Sequence, residues 1–154
     1  MGYGAMRITG PQIWGMPENP QNSIDVLQRA VELGVNFIDT ADQYGPFTSE
    51  ELIGEALHPY QDDVIIGTKG GLVRFGPWAD INNDASPQHL QDALDGSLRR
   101  LKLHRIELYQ LHRIDPARRR ASAASGQRCT GPGTDRIGPA GAAGAAVPSA
   151  APGG

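Results

Sequence analysis

The chain has 154 residues with 14 basic and 17 acidic side chains, and its formal net charge of −3 argues against a uniformly basic nucleic-acid surface. The sequence has no apolar run of about 18 residues and no leader pattern at its start, so we expect neither a membrane partner nor export. The single cysteine, Cys129, permits no intramolecular disulfide and no cysteine–zinc cluster. We therefore expect a cytoplasmic protein.

The composition changes near residue 116. Residues 1–116 carry 9 basic and 16 acidic side chains, whereas residues 117–154 carry 5 arginines and 1 aspartate. Of the 38 residues in the second segment, 26 are Ala, Gly, Pro or Ser, which leaves too little apolar surface to offset the entropy of ordering. We predict one folded unit over residues 1–116 and a disordered tail over residues 117–154.

The first elements in chain order are a weak strand signal and a helix. The strand is predicted over Tyr3–Ile8. The helix is predicted from Ser23 to Leu33, with Ser23 or Asn22 as its cap and Gly34 as its C-terminal stop. The apolar run Val35–Asp39 has the length of a strand and follows directly.

The second helix is predicted from Thr48 to Leu57. Thr48 and Glu51 have the spacing of a capping box, in which each side chain satisfies a free backbone N–H of the first turn. The next apolar run, Val64–Gly67, is again of strand length.

The third helix has the strongest signal. Ser86 is its predicted cap, Pro87 takes the first helical position, and a leucine stripe follows at positions 90, 94, 98 and 101. The run Ile106–Leu111 then predicts a fourth strand. Strands that alternate with crossover helices indicate an α/β fold with a parallel sheet.

The connection from Gly70 to Ala85 is long for the link between a strand and a helix, and it contains Phe75 and Trp78. Loops of this length are usually functional or disordered. Two interpretations stay open, a wall of a binding site and a solvated excursion. Together with Trp14, these two aromatic side chains are candidates for an apolar substrate pocket.

Polar side chains follow the predicted strands where each strand ends. Asp39 ends the second strand with Tyr44 five residues later, Lys69 follows the third strand and His112 the fourth. The carboxyl ends of parallel strands meet at one edge of a sheet, so we expect these four side chains to converge there.

The four residue types suit carbonyl reduction. An ammonium beside a tyrosine favours the phenolate, an aspartate holds the ammonium, and a histidine hydrogen-bonds a carbonyl oxygen. No side chain donates hydride, so a nicotinamide cofactor is expected. Each residue also has an ordinary structural interpretation: a turn cap for Asp39, a loop aromatic for Tyr44, a solvent-directed amine for Lys69 and a hydrogen-bonded core imidazole for His112.

Four stretches resemble the aldo-keto reductases. They are GYGAM at the start, FIDTADQYG over residues 37–45, IIGTKGG around Lys69 and ELYQLHRID around His112. The resemblance implies a (β/α)₈ TIM barrel and NADPH-dependent reduction of an aldehyde or ketone. It also implies a catalytic tetrad in which Tyr44 donates the proton, and contacts of the cofactor with Met6, Gln12 and Asp39. The tetrad comprises Asp39, Tyr44, Lys69 and His112.

The family pattern stops near Pro116, after about four strands, whereas a complete barrel needs about 250 residues. We therefore expect an incomplete barrel, impaired NADPH binding and self-association through exposed edge strands. A frameshifted or truncated gene product is one hypothesis for the tail. The alternative to an enzyme is a non-catalytic remnant that acts, if at all, through contacts with a partner.

Two other functions have weaker support. The four histidines lack the HxH or HExxH spacing of metal sites, so a metal-dependent barrel hydrolase is not favoured and no metal is expected. The run Arg118–Arg120 is interpreted as solvated rather than as a nucleic-acid contact.

Overall fold

The computed structural model describes residues 1–116; the tail for which disorder was predicted, including Cys129, lies outside the described residues. The helices are α1 (Pro20–Glu32), α2 (Thr48–Leu57) and α3 (Pro87–Arg100), and two short 3₁₀ turns cover Ala5–Ile8 and Pro11–Ile13. The strands are β1 (Gly2–Gly4), β2 (Phe37–Asp39), β3 (Ile65–Gly70), β4 (Leu72–Val73), β5 (Asn82–Asn83) and β6 (Leu108–Leu111).

Four of the strands form one parallel sheet in the order β1-β2-β3-β6. Asp39 lies opposite Gly67, and Lys69 lies opposite Gln110. Because the four strands of this sheet run in the same direction, the segments that follow them all begin at one edge. The α/β class and the parallel sheet are confirmed.

The core lies between this sheet and the helices. Ile38 and Ile66 point from the sheet toward Leu27 of α1 and Leu52 of α2, and all four side chains are buried. Alternate strand residues point to the opposite face. There Ile65 is 42% exposed and Leu108 is 38% exposed, so the described residues cover that face only in part.

The first strand and the first helix differ from the predictions. Only Gly2–Gly4 is a strand, since the chain turns into a 3₁₀ helix at Ala5. The helix α1 begins at Pro20, and Asn19 caps it by accepting a 3.1 Å hydrogen bond from the backbone of Gln21. The predicted caps Ser23 and Asn22 are wrong because the Asn-Pro pair begins the helix one turn earlier.

The predicted bounds of α2 are correct, but its predicted capping box is wrong. The cap position is occupied by Phe47 in a left-handed conformation with φ of 71°, and its side chain makes no capping hydrogen bond. The Thr48 hydroxyl instead donates to the carbonyl of Gly45 at 3.0 Å. At α3 the prediction is confirmed, since Ser86 accepts a hydrogen bond from the backbone of His89 and Pro87 takes the first position.

The long connection after β3 is neither a plain excursion nor unstructured. Its two ends pair as the antiparallel hairpin β4–β5, in which Leu72 lies opposite Asn83. Among the helices that the structure describes, none has the length and apolar character needed to cross a lipid bilayer.

Gly54 provides a test of how closely α2 and α3 pack. A Cβ atom at this position would overlap the backbone carbonyl oxygen of Arg100, which the C-terminal end of α3 holds in place. We expect Gly54→Ala to lower the free energy of unfolding by about 1–3 kcal/mol, because overpacking outweighs the gain of about 1 kcal/mol in helix propensity. Urea unfolding measures the change.

Gly4→Ala is the matched control, since a Cβ there meets nothing within 4 Å. Equal stability of the Gly54→Ala variant and the parent chain would contradict the close packing of the two helices.

Candidate active site at the carboxyl edge of the sheet

The side chain of Lys69 connects three segments at the carboxyl edge of the sheet. Its Nζ donates to Asp39 Oδ2 at 2.7 Å, to the carbonyl of Thr40 at 2.8 Å and to the hydroxyl of Tyr44 at 3.5 Å. The Lys69 side chain is only 16% exposed, so the carboxylate offsets the cost of burying its charge. The ammonium thereby fixes the position of the phenol oxygen.

Tyr44 lies in the loop between β2 and α2, and backbone hydrogen bonds hold it at both sides. Its N–H donates to Ala41, and its carbonyl accepts from Ser49 in the first turn of α2. Its ring meets the imidazole of His112 edge to face, with centroids 5.6 Å apart and planes at 88°. The structure thus brings together the four side chains predicted to converge.

His112 follows β6 and is anchored by its backbone N–H, which donates to Gly70 at 2.8 Å. Its Nδ1 is buried and finds no hydrogen-bond partner among residues 1–116. Burial lowers the pKa of this imidazole below its usual value, and the nearby charges of Lys69 and Arg113 lower it further, against a smaller opposite effect of Asp39. The neutral imidazole is therefore favoured near neutral pH.

A cavity of about 140 Å³ lies against Tyr44 and His112. The segment after β1 contributes Met6, and the long connection contributes Leu72 from β4. Met6 also lines a second cavity of about 260 Å³, where Gln12 is found. Of the residues predicted at the cofactor, Met6 and Asp39 therefore lie at the four-residue cluster and Gln12 lies in the neighbouring cavity.

The three aromatic residues predicted to line a substrate pocket do not share one location. Trp14 forms a bridge to Gly45, and its ring lies 5.3 Å from the guanidinium of Arg74. Phe75 and Trp78 are 79% and 82% exposed and do not line the cavity beside Tyr44. The reason is the hairpin, which turns the tip of the connection outward and directs other residues to the cavity.

An ion pair that the sequence pattern did not reveal lies on the helix side of the sheet. Glu50 of α2 is fully buried, and its carboxylate accepts from the hydroxyl of Thr68 at 2.5 Å and from Arg100 at 2.7 Å. Thr68 immediately precedes Lys69, so this pair supports the strand that carries the ammonium. The only sequence signal is a glutamate next to the apolar positions of an amphipathic helix.

Asp42 is a second buried acid near this pair, and its Oδ1 has no hydrogen-bond partner in the described part of the chain. Burial raises the pKa of its carboxyl to about 7, and the charge of Glu50 adds to the increase while Arg100 opposes it. Its backbone still joins the site, because its N–H donates to the carbonyl of Lys69.

The model of the aldo/keto reductase family matches residues 1–126. This chain belongs to that family. The resemblance seen in the four sequence stretches is therefore confirmed, and an oxidoreductase family is the functional class that the match supports.

Two curated relatives agree with this assignment. An uncharacterized oxidoreductase from Schizosaccharomyces pombe is 52% identical over 116 residues, which is 75% of this chain and 37% of the relative. The pyridoxine 4-dehydrogenase of Escherichia coli is 44% identical over 111 residues, which is 72% of this chain and 38% of the relative. The chain thus spans less than two fifths of the length of these proteins.

Solved structures show the same partial correspondence. The glycerol dehydrogenase of Gluconobacter oxydans matches with a TM-score of 0.67 at 30% identity, over 75% of this chain and 36% of that one. The holo form of an aldo-keto reductase from Bacillus halodurans matches with a TM-score of 0.60 at 32% identity, over 72% of this chain and 35% of that one. These neighbours are (β/α)₈ barrels, and the described residues form part of such a barrel, as predicted.

The buried carboxyl of Asp42 should make the free energy of unfolding depend on pH. In the folded chain it keeps its proton up to about pH 7, whereas an unfolded aspartate loses it near pH 4. The folded state binds more protons between these values, so this group lowers the free energy of unfolding as the pH rises. We expect Asp42→Asn to gain stability over the parent chain, on the order of 2–4 kcal/mol, between pH 4 and pH 8.

Urea unfolding at several pH values measures this difference, and Asp62→Asn is the control because Asp62 is exposed. A constant difference between Asp42→Asn and the parent chain across the range would show that the carboxyl is charged in the folded state.

Proposed function

We propose that this chain carries the proton-donating part of a carbonyl reductase site, in which Tyr44 protonates the oxygen of an aldehyde or ketone. The observation that supports it most directly is the position of the Tyr44 hydroxyl, 3.5 Å from Lys69 Nζ, which Asp39 in turn holds at 2.7 Å. An ammonium at that distance stabilises the phenolate that remains after the proton has left.

The remaining side chains of the cluster have complementary tasks in this proposal. Asp39 holds the Lys69 ammonium in position through the 2.7 Å ion pair, so that it faces the phenol rather than solvent. His112 packs edge to face on the Tyr44 ring and orients the carbonyl oxygen toward the phenol. Its lowered pKa keeps the imidazole neutral, so it does not compete with Tyr44 as the acid.

No amino-acid side chain donates hydride, so a cofactor must supply it, and we propose NADPH as the donor. When bound, NADPH would supply the hydride that the carbonyl carbon needs, and Tyr44 donates its proton to the carbonyl oxygen. Met6 suits a contact with the nicotinamide end, because it lines both the cavity at Tyr44 and the neighbouring cavity that contains Gln12. The names of two relatives, a pyridoxine dehydrogenase and a glycerol dehydrogenase, agree with alcohol–carbonyl chemistry.

A second candidate function is a non-catalytic chain that acts through contacts with a partner or a second copy. One observation favours it: on the sheet face opposite the helices, Ile65 and Leu108 are 42% and 38% exposed. Exposed apolar groups on one sheet face favour association. Sedimentation of the purified chain measures its oligomeric state, and an inactive, self-associating protein would support this candidate.

The two candidates differ in the effect of Tyr44→Phe. Because NADPH binding is expected to be impaired, we expect the full chain with excess NADPH and 4-nitrobenzaldehyde to oxidise the cofactor only slowly. Tyr44→Phe should lower that slow rate by about 10²–10⁴-fold because the general acid is lost. The loss of nicotinamide absorbance measures the rate. Tyr3→Phe is the matched control, since Tyr3 packs against the core away from the cluster and its loss of a hydroxyl should not change turnover.

Equal rates for Tyr44→Phe and the parent chain would remove Tyr44 from the role of proton donor. Absence of cofactor oxidation by the folded parent chain would favour the non-catalytic candidate.

A further inference from the structure

The cavity beside Tyr44 and His112 has an unusual charge. Two arginines, Arg74 and Arg113, line it, and none of its lining residues is an aspartate or glutamate. This contrasts with residues 1–116 as a whole, where 16 acidic side chains exceed 9 basic ones. The lining of the cavity is therefore positively charged, although residues 1–116 as a whole are negatively charged.

Neither arginine is neutralised by a neighbour. No carboxylate among residues 1–116 lies within ion-pair distance of Arg74 or Arg113, whereas the third nearby cation, Lys69, is paired with Asp39. After burial and Lys69, Arg113 is the third cause of the lowered pKa of His112.

The guanidinium groups of Arg74 and Arg113 differ in the number of hydrogen bonds that they make within the described residues. Arg74 donates to four backbone carbonyls, those of residues 12, 13, 76 and 77, and its position is therefore fixed by the segments on both sides. Arg113 makes no hydrogen bond or ion pair within the part of the chain that the structure describes, and it is exposed. Its planar fork of donors is thus available to a ligand.

We propose, on the basis of the reductase function above, that the carbonyl substrate carries an anionic group such as a carboxylate, which Arg113 binds in the field of Arg74. The carbonyl end lies at Tyr44 and His112, and the apolar side chains of Met6 and Leu72 contact the carbons between the two ends. All these side chains line a single cavity of about 140 Å³, so the structure favours a short substrate.

An anionic ligand has two possible sources, the substrate and the phosphates of the cofactor. The contacts favour the substrate, because Arg113 lines the same small cavity as the proton-donating Tyr44, where the reacting carbonyl must lie. The neighbouring cavity at Gln12 contains Arg7 and is a separate place for cofactor groups.

Binding of unreactive probes tests the proposal without turnover. Butanoate and butanamide have nearly the same shape and differ in charge, and NMR titration of the ¹⁵N-labelled full chain at low salt follows the arginine Nε–H signals. We expect butanoate to shift the Arg113 and Arg74 signals and to bind at least about fivefold more tightly than butanamide, as expected for a pair worth about 1 kcal/mol. Bound butanoate should also raise the pKa of His112, since it offsets the charge of Arg113.

Substitutions test whether Arg113 is the origin of the preference for butanoate over butanamide. Arg113→Met should abolish the preference for butanoate, and Arg113→Lys should retain part of it, because a point charge replaces the fork. Arg29→Met is the matched control: it changes the net charge equally, and Arg29 lies on α1 in an exposed pair with Glu32. This control should bind butanoate as the parent chain does.

Four results would overturn the proposal: equal binding of the two probes, binding of neither, an unchanged preference in Arg113→Met, and displacement of butanoate by adenosine 2′,5′-bisphosphate. The last would assign the cations to the cofactor phosphate. Failure of the reductase function has a different signature. The folded parent chain would then not oxidise NADPH, or Tyr44→Phe would leave the rate unchanged, while the preference for butanoate persists.

Discussion

The arrangement of the site depends on one partly buried ammonium. Lys69 Nζ has three hydrogen atoms to donate, and the structure supplies three acceptors from the β2 end and the loop after it. A charge removed from water is stable only where such partners are present. The requirement therefore fixes the loop of Tyr44 relative to β3, and it places the phenol oxygen beside a positive charge.

A second ion pair supports the same strand from behind. Lys69 and Thr68 point to opposite faces of β3, so the ammonium faces the cavity side while the Thr68 hydroxyl meets Glu50. Glu50 also binds Arg100 at the end of α3, and the Arg100 guanidinium lies 4.2 Å from the ring centre of Phe47, next to the Tyr44 loop. The position of Tyr44 is thus determined by charges on both sides of the sheet.

The cavity brings the proposed proton donor and the residues proposed to bind the substrate to one place. The proposed proton donor lies where the strand ends converge, and the long connection adds an apolar residue, Leu72, and a fixed guanidinium, Arg74, to the same space. The strands position the reacting groups, whereas the loops that follow them form the variable wall of the binding cavity. This division is typical of barrel enzymes. The chain spans 37% of one relative, so the rest of that protein's wall has no counterpart among the described residues.

Local sequence determined the order of the helices and parallel strands and the edge of the sheet at which the polar site residues lie. Ser86 and Pro87 mark the start of α3 because capping is a contact between near neighbours, and short apolar runs between helices implied a parallel sheet whose ends bring Asp39, Lys69 and His112 together. Tertiary structure alone decided the left-handed cap at Phe47, the Glu50–Arg100 pair across 50 residues and the contacts of Arg74 with residues 12 and 13. Periodicity and propensity describe neighbours in the chain, whereas a buried charge finds its partner only when packed elements exclude water from both.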